Sequence, residues 1–201
     1  MVLLRSPDVT WHAGALTRKD RWRTLGQRGA TVWFTGLPGS GKSTIAAVVE
    51  ELLIEEGRAA YRLDGDNLRH GLCRNLGFSA EDRAENMRRV AHVACLLADA
   101  GAVAVVALVS PYAAGRAQAR QIHAEEDLPF IEVFVDTPLE ECERRDPKGL
   151  YARARAGDLP GFTGVDDPYE PPLAPELRVT SAQSVHLAAQ SVLALVPPVE
   201  S

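Results

Sequence analysis

The sequence predicts an α/β fold in which a parallel β-sheet is flanked by helices on both faces. Strand and helix patterns alternate along the chain, which is typical of βαβ units in a parallel sheet. Residues 103–109 form an unbroken apolar run, VAVVALV, which is typical of a central parallel strand covered on both faces. A glycine-rich loop at 36–43 separates a strand pattern from a helix pattern, as expected where such a sheet binds a ligand.

Residues 1–29 are expected to form an N-terminal arm and a short helix that precede the sheet. Residues 1–16 have the character of an extended arm, and Thr17 is a candidate N-cap for a polar helix that ends before Gly26. The compact β-branched and aromatic run at 30–35, ATVWFT, then predicts the first strand.

The next elements alternate as the fold class requires. Apolar residues recur at helical spacing from residue 42, and Gly57 ends that helix. A second strand at 59–63 leads into a turn or helix start, followed by a polar helical stretch around 67–72. The sequence Ser-Ala-Glu-Asp at 79–82 has the form of a capping box and opens a helix that runs to about residue 100.

The second half of the chain continues the alternation and adds an irregular segment rich in proline and glycine. The predicted elements are a helix at 114–125, a strand at 131–135, a helix at 139–145, a lid loop within 146–175 that contains a short helix near 150–156, a strand around Val179 and a helix at 184–195. No repeat, low-complexity tract or linker divides the chain. Residues 30–201 are therefore expected to form one domain, with the lid at about 146–170.

Composition excludes several classes of function. The net charge of −5 over 201 residues gives no broad basic surface, so neither nucleic acid nor an anionic membrane is an expected partner. The N-terminal apolar run is too short for a signal-peptide core, and the longest apolar run, at 100–109, is about half of what spans a bilayer, which favours a cytoplasmic location. The three cysteines form no CxxC pair and the five histidines no ligand spacing, so a zinc site is not expected.

The loop at 36–43 matches G-x-x-x-x-G-K-[ST] between a strand and a helix, which is the context this phosphate-binding motif requires. Its glycines let successive backbone N–H groups face an anion, and the following helix adds its positive end. Lys42 is expected to reach the β- and γ-phosphates of ATP, and Ser43 to ligate Mg²⁺. The predicted ATP-binding residues here are Gly36, Leu37, Pro38, Gly39, Ser40, Gly41, Lys42, Ser43 and Thr44.

The motif leaves motor ATPases, GTPases and small-molecule kinases open, and other features favour a kinase. The chain lacks an Asn-Lys-x-Asp guanine signature, and the run 103–109 ends without the acidic residue of a hydrolytic ATPase. Asp64 and Asp66 instead follow the second strand, at the edge where ligands bind. Asp64 is therefore a candidate catalytic residue, which accepts the proton of an attacking hydroxyl or holds Mg²⁺ through water.

Two polar clusters after the second strand could hold the phosphate acceptor. Arg69 can pair with an anion through two N–H groups, and Arg83 and Asn86 stand three residues apart on one helix face. A solvated, charged helix is the alternative interpretation of the second cluster.

Five blocks of sequence resemble the adenylyl-sulfate kinase family, and they occur in the family's order. They are DGDNLRHGL, LGFSAEDRAENMRRV, VSPY, EVFVDTPLEECERRDPKGLYARARAGD and GFTGVDDPYEPP, within a resemblance that covers about residues 9 to 180. The resemblance implies a P-loop kinase that transfers the γ-phosphoryl of ATP to the 3′-hydroxyl of adenosine 5′-phosphosulfate in sulfate assimilation. It also implies a homodimer and a functional link to ATP sulfurylase.

The resemblance further implies roles for individual residues. Phe78 and Phe162 would sandwich the acceptor adenine, and Phe162, in a Pro/Gly-rich loop, is a weak candidate for core packing. Ser110 corresponds to a phosphoserine intermediate, although in-line attack requires no covalent carrier and substrate positioning is the alternative. The remaining implied residues are Asp64, Asp66, Arg69, Arg83, Asn86 and Lys148 for the acceptor and Arg144 for ATP.

The sequence departs from the family pattern at Cys73, Ala113, Gly115 and Pro160. These departures affect the acceptor site and the lid and leave the phosphate loop unchanged. They keep a second hypothesis open, in which the acceptor is another small hydroxylated metabolite. A third hypothesis is a non-catalytic ATP-binding partner of a sulfurylase, against which the complete set of Lys42, Ser43 and Asp64 argues.

Overall fold

Five parallel strands form the sheet in the computed structural model of the protein, which describes residues 9–10 and 12–198. The strands are β1 (Ala30–Thr35), β2 (Ala60–Asp64), β3 (Val103–Ala107), β4 (Phe130–Asp136) and β5 (Leu177–Thr180). Their order across the sheet is β2-β3-β1-β4-β5, and every neighbouring pair is parallel. The predicted fold class is confirmed. The apolar run at 103–109 supplies β3, an interior strand that is buried along its whole length, as predicted, and β1 lies next to it in the middle of the sheet.

Eight helices connect and cover the strands within the described residues. They are α1 (Arg18–Leu25), α2 (Lys42–Glu55), α3 (Gly65–Leu68), α4 (Ala80–Ala100), α5 (Ala113–Glu125), α6 (Leu139–Arg145), α7 (Leu150–Arg155) and α8 (Val185–Leu193). Residues 1–8 and 11 of the expected extended arm lie outside the described residues. None of the helices in the described part of the chain is long and apolar enough to cross a bilayer.

The core consists of one layer on each face of the sheet, because successive side chains of a strand point to opposite faces. Val32 and Phe34 of β1 pack with α2 and α8, while Trp33 of the same strand packs with α4 and α5. All six residues of β1 and all five of β3 are buried. This two-sided burial explains why neither strand shows the alternation of apolar and polar residues that a half-exposed strand has.

The polar helix predicted around 67–72 is wrong, since α3 ends at Leu68 and turns follow. Asp64 caps the single helical turn by accepting a hydrogen bond from the N–H of Asp66 at 3.0 Å. Arg69 then donates to the carbonyls of Leu76 and Gly77 at 3.1 and 2.8 Å. These bonds between a side chain and the backbone hold the segment in turns, which a count of polar residues could not reveal.

Capping explains where two helices begin. Thr17 and Asp20 form a complete capping box at the start of α1, as the candidate N-cap predicted. Ser79 caps α4 by accepting from the N–H of Asp82 at 3.1 Å, but the Asp82 carboxylate binds the N–H of Gly77 at 3.0 Å. The capping box expected at 79–82 therefore has only the bond from the Asp82 N–H to Ser79. The Asp82 carboxylate does not bind the N–H of Ser79 and instead fixes the preceding loop at Gly77.

The segment expected to form a lid packs against the phosphate loop. The Tyr151 hydroxyl donates to the carbonyl of Pro38 at 2.9 Å, and Asp166 accepts from the N–H groups of Gly161 and Phe162, each at 2.7 Å. Cys142, Tyr151 and Phe162 form a small core of their own, with the two rings edge to face at 4.9 Å. A local apolar core thus holds this loop over the carboxyl edge of the sheet.

Candidate active site

The loop between β1 and α2 has the backbone of a phosphate cradle. Gly36, Gly39 and Gly41 have φ angles of 150°, 74° and 105°, a region that residues with a side chain rarely adopt. A Cβ on Gly36 would lie 2.6 Å from the carbonyl oxygen of Val135, and one on Gly39 would lie 3.2 Å from that of Cys142. Gly41 caps α2 without a side chain, so the N–H groups of the first two helical residues, Lys42 and Ser43, remain available to an anion.

Lys42 lies buried beside this cradle. Its ammonium donates to the carbonyl of Leu37 at 2.7 Å and to the Ser40 hydroxyl at 3.3 Å. Burial lowers the pKa of Lys42 to about 8, although the nearby carboxylates of Asp64 and Asp66 oppose the shift. A cation that burial has partly stripped of water is suited to receive the charge of a triphosphate.

Asp64 lies at the end of β2 with its carboxylate fixed on two sides. One oxygen caps α3, and the other is 3.6 Å from the guanidinium of Arg62. The residue is buried, and its charge acts on Lys42. Asp66, in the first turn of α3, forms an ion pair with Lys148. The structure therefore brings the predicted catalytic carboxylate close to the predicted phosphate-binding lysine. The ion pair between Asp66 and Lys148 also joins the lid segment to this edge of the sheet.

Arg69, Phe78 and Arg83 form one cluster. The guanidinium of Arg69 stacks on the Phe78 ring at 4.1 Å from its centroid, and that of Arg83 lies 5.6 Å away. Burial, and then the like charge of Arg83, lowers the pKa of Arg69. Phe78 remains 59% exposed. Two cations beside an open aromatic face are suited to a ligand that is both planar and anionic.

Asn86 supplies an independent sign of a ligand site. It lies on α4, is buried, and its Oδ1 atom has no hydrogen-bond partner among the described residues. Buried polar atoms in native structures are nearly always paired, and an unpaired one requires an explanation. A donor on a bound acceptor would satisfy this oxygen.

The expectation that Phe162 is a weak core candidate is wrong, since the residue is only 8% exposed. It packs with Cys142 and Tyr151 in the small core of the lid segment. Its predicted role in stacking on the acceptor adenine stays a prediction. The sequence suggested exposure because prolines and glycines surround Phe162, but Asp166 folds this loop back onto itself.

Ser110 follows β3 in a left-handed backbone conformation with φ 42°. Its hydroxyl is buried, accepts from the indole N–H of Trp33 at 3.3 Å and lies 3.5 Å from the carbonyl of Leu108. Its own carbonyl accepts from Arg116 at 2.7 Å. This enclosed hydroxyl fits a positioning role better than that of a nucleophile that must meet ATP.

Arg145 contacts the phosphate loop where the sequence suggested Arg144. A guanidinium nitrogen of Arg145 is 3.4 Å from the carbonyl of Ser40. The side chain of Arg144 is 73% exposed and binds Glu141 at 2.8 and 2.7 Å. Adjacent positions on a helix differ by about 100° in direction, and only the docking of α6 determines which arginine faces the loop. An ATP role for Arg144 stays a prediction.

Two supports of the phosphate loop carried no signal in the sequence. The Thr137 hydroxyl donates to the carbonyl of Ser40 at 2.9 Å, and Tyr151 binds Pro38 as described above. Both come from segments far along the chain, so no local pattern links them to the loop.

Among the departures from the family pattern, Gly115 allows close packing, since a Cβ there would lie 2.8 Å from the Met87 methyl group.

Comparisons with known proteins identify the family. The profile of the family described as adenylylsulphate kinase matches residues 28–180. The bifunctional enzyme CysN/CysC of Mycobacterium tuberculosis is 56% identical over 190 residues, which are 94% of this chain and 30% of that protein. The adenylyl-sulfate kinase of Citrobacter koseri is 55% identical over 188 residues, which are 93% of this chain and 92% of that protein.

A solved structure agrees. It is the structure of the Mycobacterium tuberculosis APS kinase CysC in complex with AMPPNP and APS, with a TM-score of 0.83 and 59% identity. The match covers 84% of this chain and 98% of that one. The chain spans less than a third of the bifunctional relative and nearly the whole of the Citrobacter protein. The family resemblance seen in the sequence is thereby confirmed, and the chain belongs to the adenylylsulphate kinase family.

Proposed function

We propose that this chain transfers the γ-phosphoryl group of ATP to the 3′-hydroxyl of adenosine 5′-phosphosulfate, which yields 3′-phosphoadenosine 5′-phosphosulfate and ADP. One observation carries the proposal. The buried ammonium of Lys42 and the carboxylate of Asp64 act on each other at one edge of the sheet, and the cluster of Arg69, Phe78 and Arg83 follows directly in the chain. Because the charge of Asp66 acts on both Lys42 and Arg69, the phosphate donor and a planar anionic acceptor have adjoining sites.

The chemistry follows from these positions. The 3′-oxygen of the acceptor attacks the γ-phosphorus, the bond to the bridging oxygen breaks, and ADP leaves. Asp64 accepts the proton of the 3′-hydroxyl, because its carboxylate is fixed by the N–H of Asp66 and by Arg62. Lys42 and the N–H groups at the start of α2 hold the charge that moves onto the β-phosphate.

The residues also fit a magnesium ion. Mg²⁺ prefers oxygen ligands, and the exposed Ser43 hydroxyl lies in the first turn of α2, next in the chain to Lys42, on which the carboxylates of Asp64 and Asp66 act. The ion supplies positive charge to the phosphate oxygens of ATP when it is bound. Ser43 would hold it, and the carboxylates would bind its waters.

On the acceptor side, the two guanidiniums would bind the phosphosulfate group and Asn86 would accept from a donor of the ligand. Phe78 would stack on the adenine with its open face, and Phe162 would complete the sandwich from the lid. The ion pair between Lys148 and Asp66 joins the lid segment to this edge. Closure of the segment 146–170 would exclude water, which otherwise competes with the acceptor hydroxyl.

Other expectations stay predictions. They are the homodimer, the link to ATP sulfurylase, the cytoplasmic location, and a place in sulfate assimilation rather than another use of the product. The relative in which the matching segment is part of a bifunctional enzyme supports a link to a second activity. A kinase for another hydroxylated metabolite and a non-catalytic partner remain the alternatives.

The test is an assay of ADP formation from ATP in the presence of Mg²⁺. Adenosine 5′-phosphosulfate is compared as acceptor with a panel of other small alcohols. Turnover with adenosine 5′-phosphosulfate supports the proposal. Turnover only with another alcohol would establish the second hypothesis, and ATP binding without any turnover would establish the third.

Asp64→Asn tests the proton acceptor. Asparagine caps a helix as well as aspartate does, so the fold should survive while the rate falls by about 10² to 10⁴. Asp127→Asn, in the turn that precedes β4 at the opposite edge of the sheet, is the matched control and should retain the rate of the native protein. An Asp64→Asn variant with full activity would show that this carboxylate takes no proton.

A further inference from the structure

The carboxylate of Asp167 lies behind the acceptor cluster. One of its oxygens accepts from the Tyr112 hydroxyl at 2.8 Å. The other accepts from the Thr163 hydroxyl at 3.3 Å and lies 4.0 Å from the Nε of Arg83. The side chains of Arg83 and Asp167 are 12% and 17% exposed, so water screens their attraction only partly.

Arg83 is held on its other sides by backbone carbonyls. Its Nε donates to the carbonyl of Phe78 at 3.0 Å, and its Nη2 donates to the carbonyl of Gly161 at 2.8 Å. No described residue accepts a hydrogen bond from its Nη1. The guanidinium is therefore fixed in orientation, retains a free donor for a ligand, and has one anionic group beside it, Asp167.

The surroundings of Asp167 are rigid. The N–H of Gly164 donates to the Asp167 carbonyl at 2.8 Å, and the N–H of Glu170 donates to the carbonyl of Pro111 at 2.8 Å. The Glu170 carboxylate accepts from the N–H of Ala113 at 2.7 Å. The loop after β3 and the last residues of the lid segment thus form one platform, on which the Asp167 carboxylate has little freedom to turn.

We propose that Asp167, oriented by Tyr112 and Thr163, is a positioning residue that holds the Arg83 guanidinium in the geometry that binds the acceptor's anionic group. The proposal rests on the proposed function, in which Arg83 contacts the phosphosulfate. Asp167 itself touches neither ATP nor the acceptor in this scheme. Because Arg83 also binds Gly161, next to Phe162, the same carboxylate links acceptor binding to the position of the lid loop.

Asp167→Asn removes the charge and keeps the shape and the acceptor oxygen for Tyr112. The KM for adenosine 5′-phosphosulfate should rise about tenfold, the scale of one hydrogen bond or ion pair to a charged group. The KM for ATP and kcat should change less than about twofold, because the phosphate loop is untouched. Tyr112→Phe, which frees the carboxylate to turn, should shift the same KM by a smaller factor.

The matched control is Glu170→Gln, which removes a carboxylate from the same platform at a place that does not face Arg83. It should leave both KM values unchanged. An equal rise in the acceptor KM for Glu170→Gln and Asp167→Asn would mean that the platform acts only as a scaffold, and would overturn the proposal.

A double-mutant cycle gives the decisive readout. If Asp167 acts through Arg83, Asp167→Asn should have no further effect on the acceptor KM in an Arg83→Ala background. Additive effects of the two substitutions would overturn the proposal and leave the proposed function standing. Absence of turnover with adenosine 5′-phosphosulfate in the native protein would instead refute the proposed function, and the proposal with it.

Discussion

At the scale of single residues, burial determines what the candidate catalytic groups can do. Lys42 and Ser110 are both buried, with opposite consequences. The ammonium of Lys42 is enclosed together with the phosphate cradle, so a bound triphosphate would replace the two neutral acceptors that now hold it. The hydroxyl of Ser110 is bonded to Trp33 and Leu108, which are not part of the phosphate cradle, so a bound triphosphate would not replace them. The same degree of burial thus favours catalysis at one residue and positioning at the other.

The lowered pKa of Lys42 predicts pH-dependent binding of ATP. With a pKa of about 8 in the free protein, Lys42 loses its proton as the pH rises through that value. The charge of bound ATP favours the protonated form and raises the pKa. Binding near pH 8 should therefore take up a fraction of a proton, and affinity for ATP should fall above pH 8.

Calorimetry with a non-hydrolysable ATP analogue, in two buffers of different ionisation enthalpy, measures this uptake. Lys42→Met should bind more weakly and without the extra proton, while the ionisation of the nucleotide itself is common to both proteins. Equal proton uptake by the two proteins would show that another group titrates.

At the scale of elements, one glycine determines how closely α4 approaches β1. A Cβ on Gly29 would lie 2.0 Å from the carbonyl oxygen of Ala98, in the last turn of α4. Gly29, directly before β1, therefore lies against the backbone of α4, and a side chain at this position would push the helix away. Trp22 of α1 seals the same corner by donating to the Ala98 carbonyl at 3.1 Å.

Gly29→Ala should destabilise the fold by about 2 to 3 kcal/mol, because the added methyl group meets backbone that cannot rotate away. The free energy of unfolding in urea measures the loss. Gly71→Ala is the control, since a Cβ there meets nothing within 4 Å, and it should leave the free energy nearly unchanged. Equal stabilities for both variants would mean that the end of α4 shifts freely.

At the scale of the whole molecule, buried polar groups join the layers. His123 of α5 is fully buried, with Nε2 2.8 Å from the Thr31 hydroxyl of β1 and Nδ1 2.8 Å from the carbonyl of Ala119. A neutral imidazole satisfies both contacts, with Nδ1 donating and Nε2 accepting. Arg116 of the same helix forms a buried ion pair with Glu132 of β4 at 2.8 Å. Each contact fixes α5 on the sheet beneath the candidate site.

Burial lowers the pKa of His123 in the folded protein. Below the ordinary histidine pKa of about 6.5, the unfolded chain binds a proton that the folded chain refuses. The stability that this residue contributes is therefore complete above pH 6.5 and is lost as the pH falls toward the folded pKa.

Thermal unfolding at pH 7.5 and pH 5.5 tests this. His123→Gln should show a smaller loss of melting temperature between the two values than the native protein does. His186→Gln, at an exposed position, is the control and should keep the native loss. The same loss in all three proteins would assign the pH dependence to other groups.

Much of the fold followed from local patterns. The bounds of β1 and α6 were predicted to the residue, because β-branched runs, helical spacing and glycines act over a few neighbours. The helix predicted at 67–72 failed because Arg69 binds backbone seven and eight residues away. That β1 rather than β3 lies in the middle of the sheet was also beyond local patterns, since every residue of both strands is buried.

The phosphate loop from Gly36 to Ser43 can be identified without a structure, because its glycines, lysine and serine act through adjacent backbone. The family can be identified in the same way, through blocks that span nearly the whole chain. Three features became apparent only in the folded chain: Arg145 faces that loop, Phe162 is buried, and Asp167 lies beside Arg83. These facts depend on contacts between residues far apart in the chain, and the packing of helices and loops against the sheet sets such contacts.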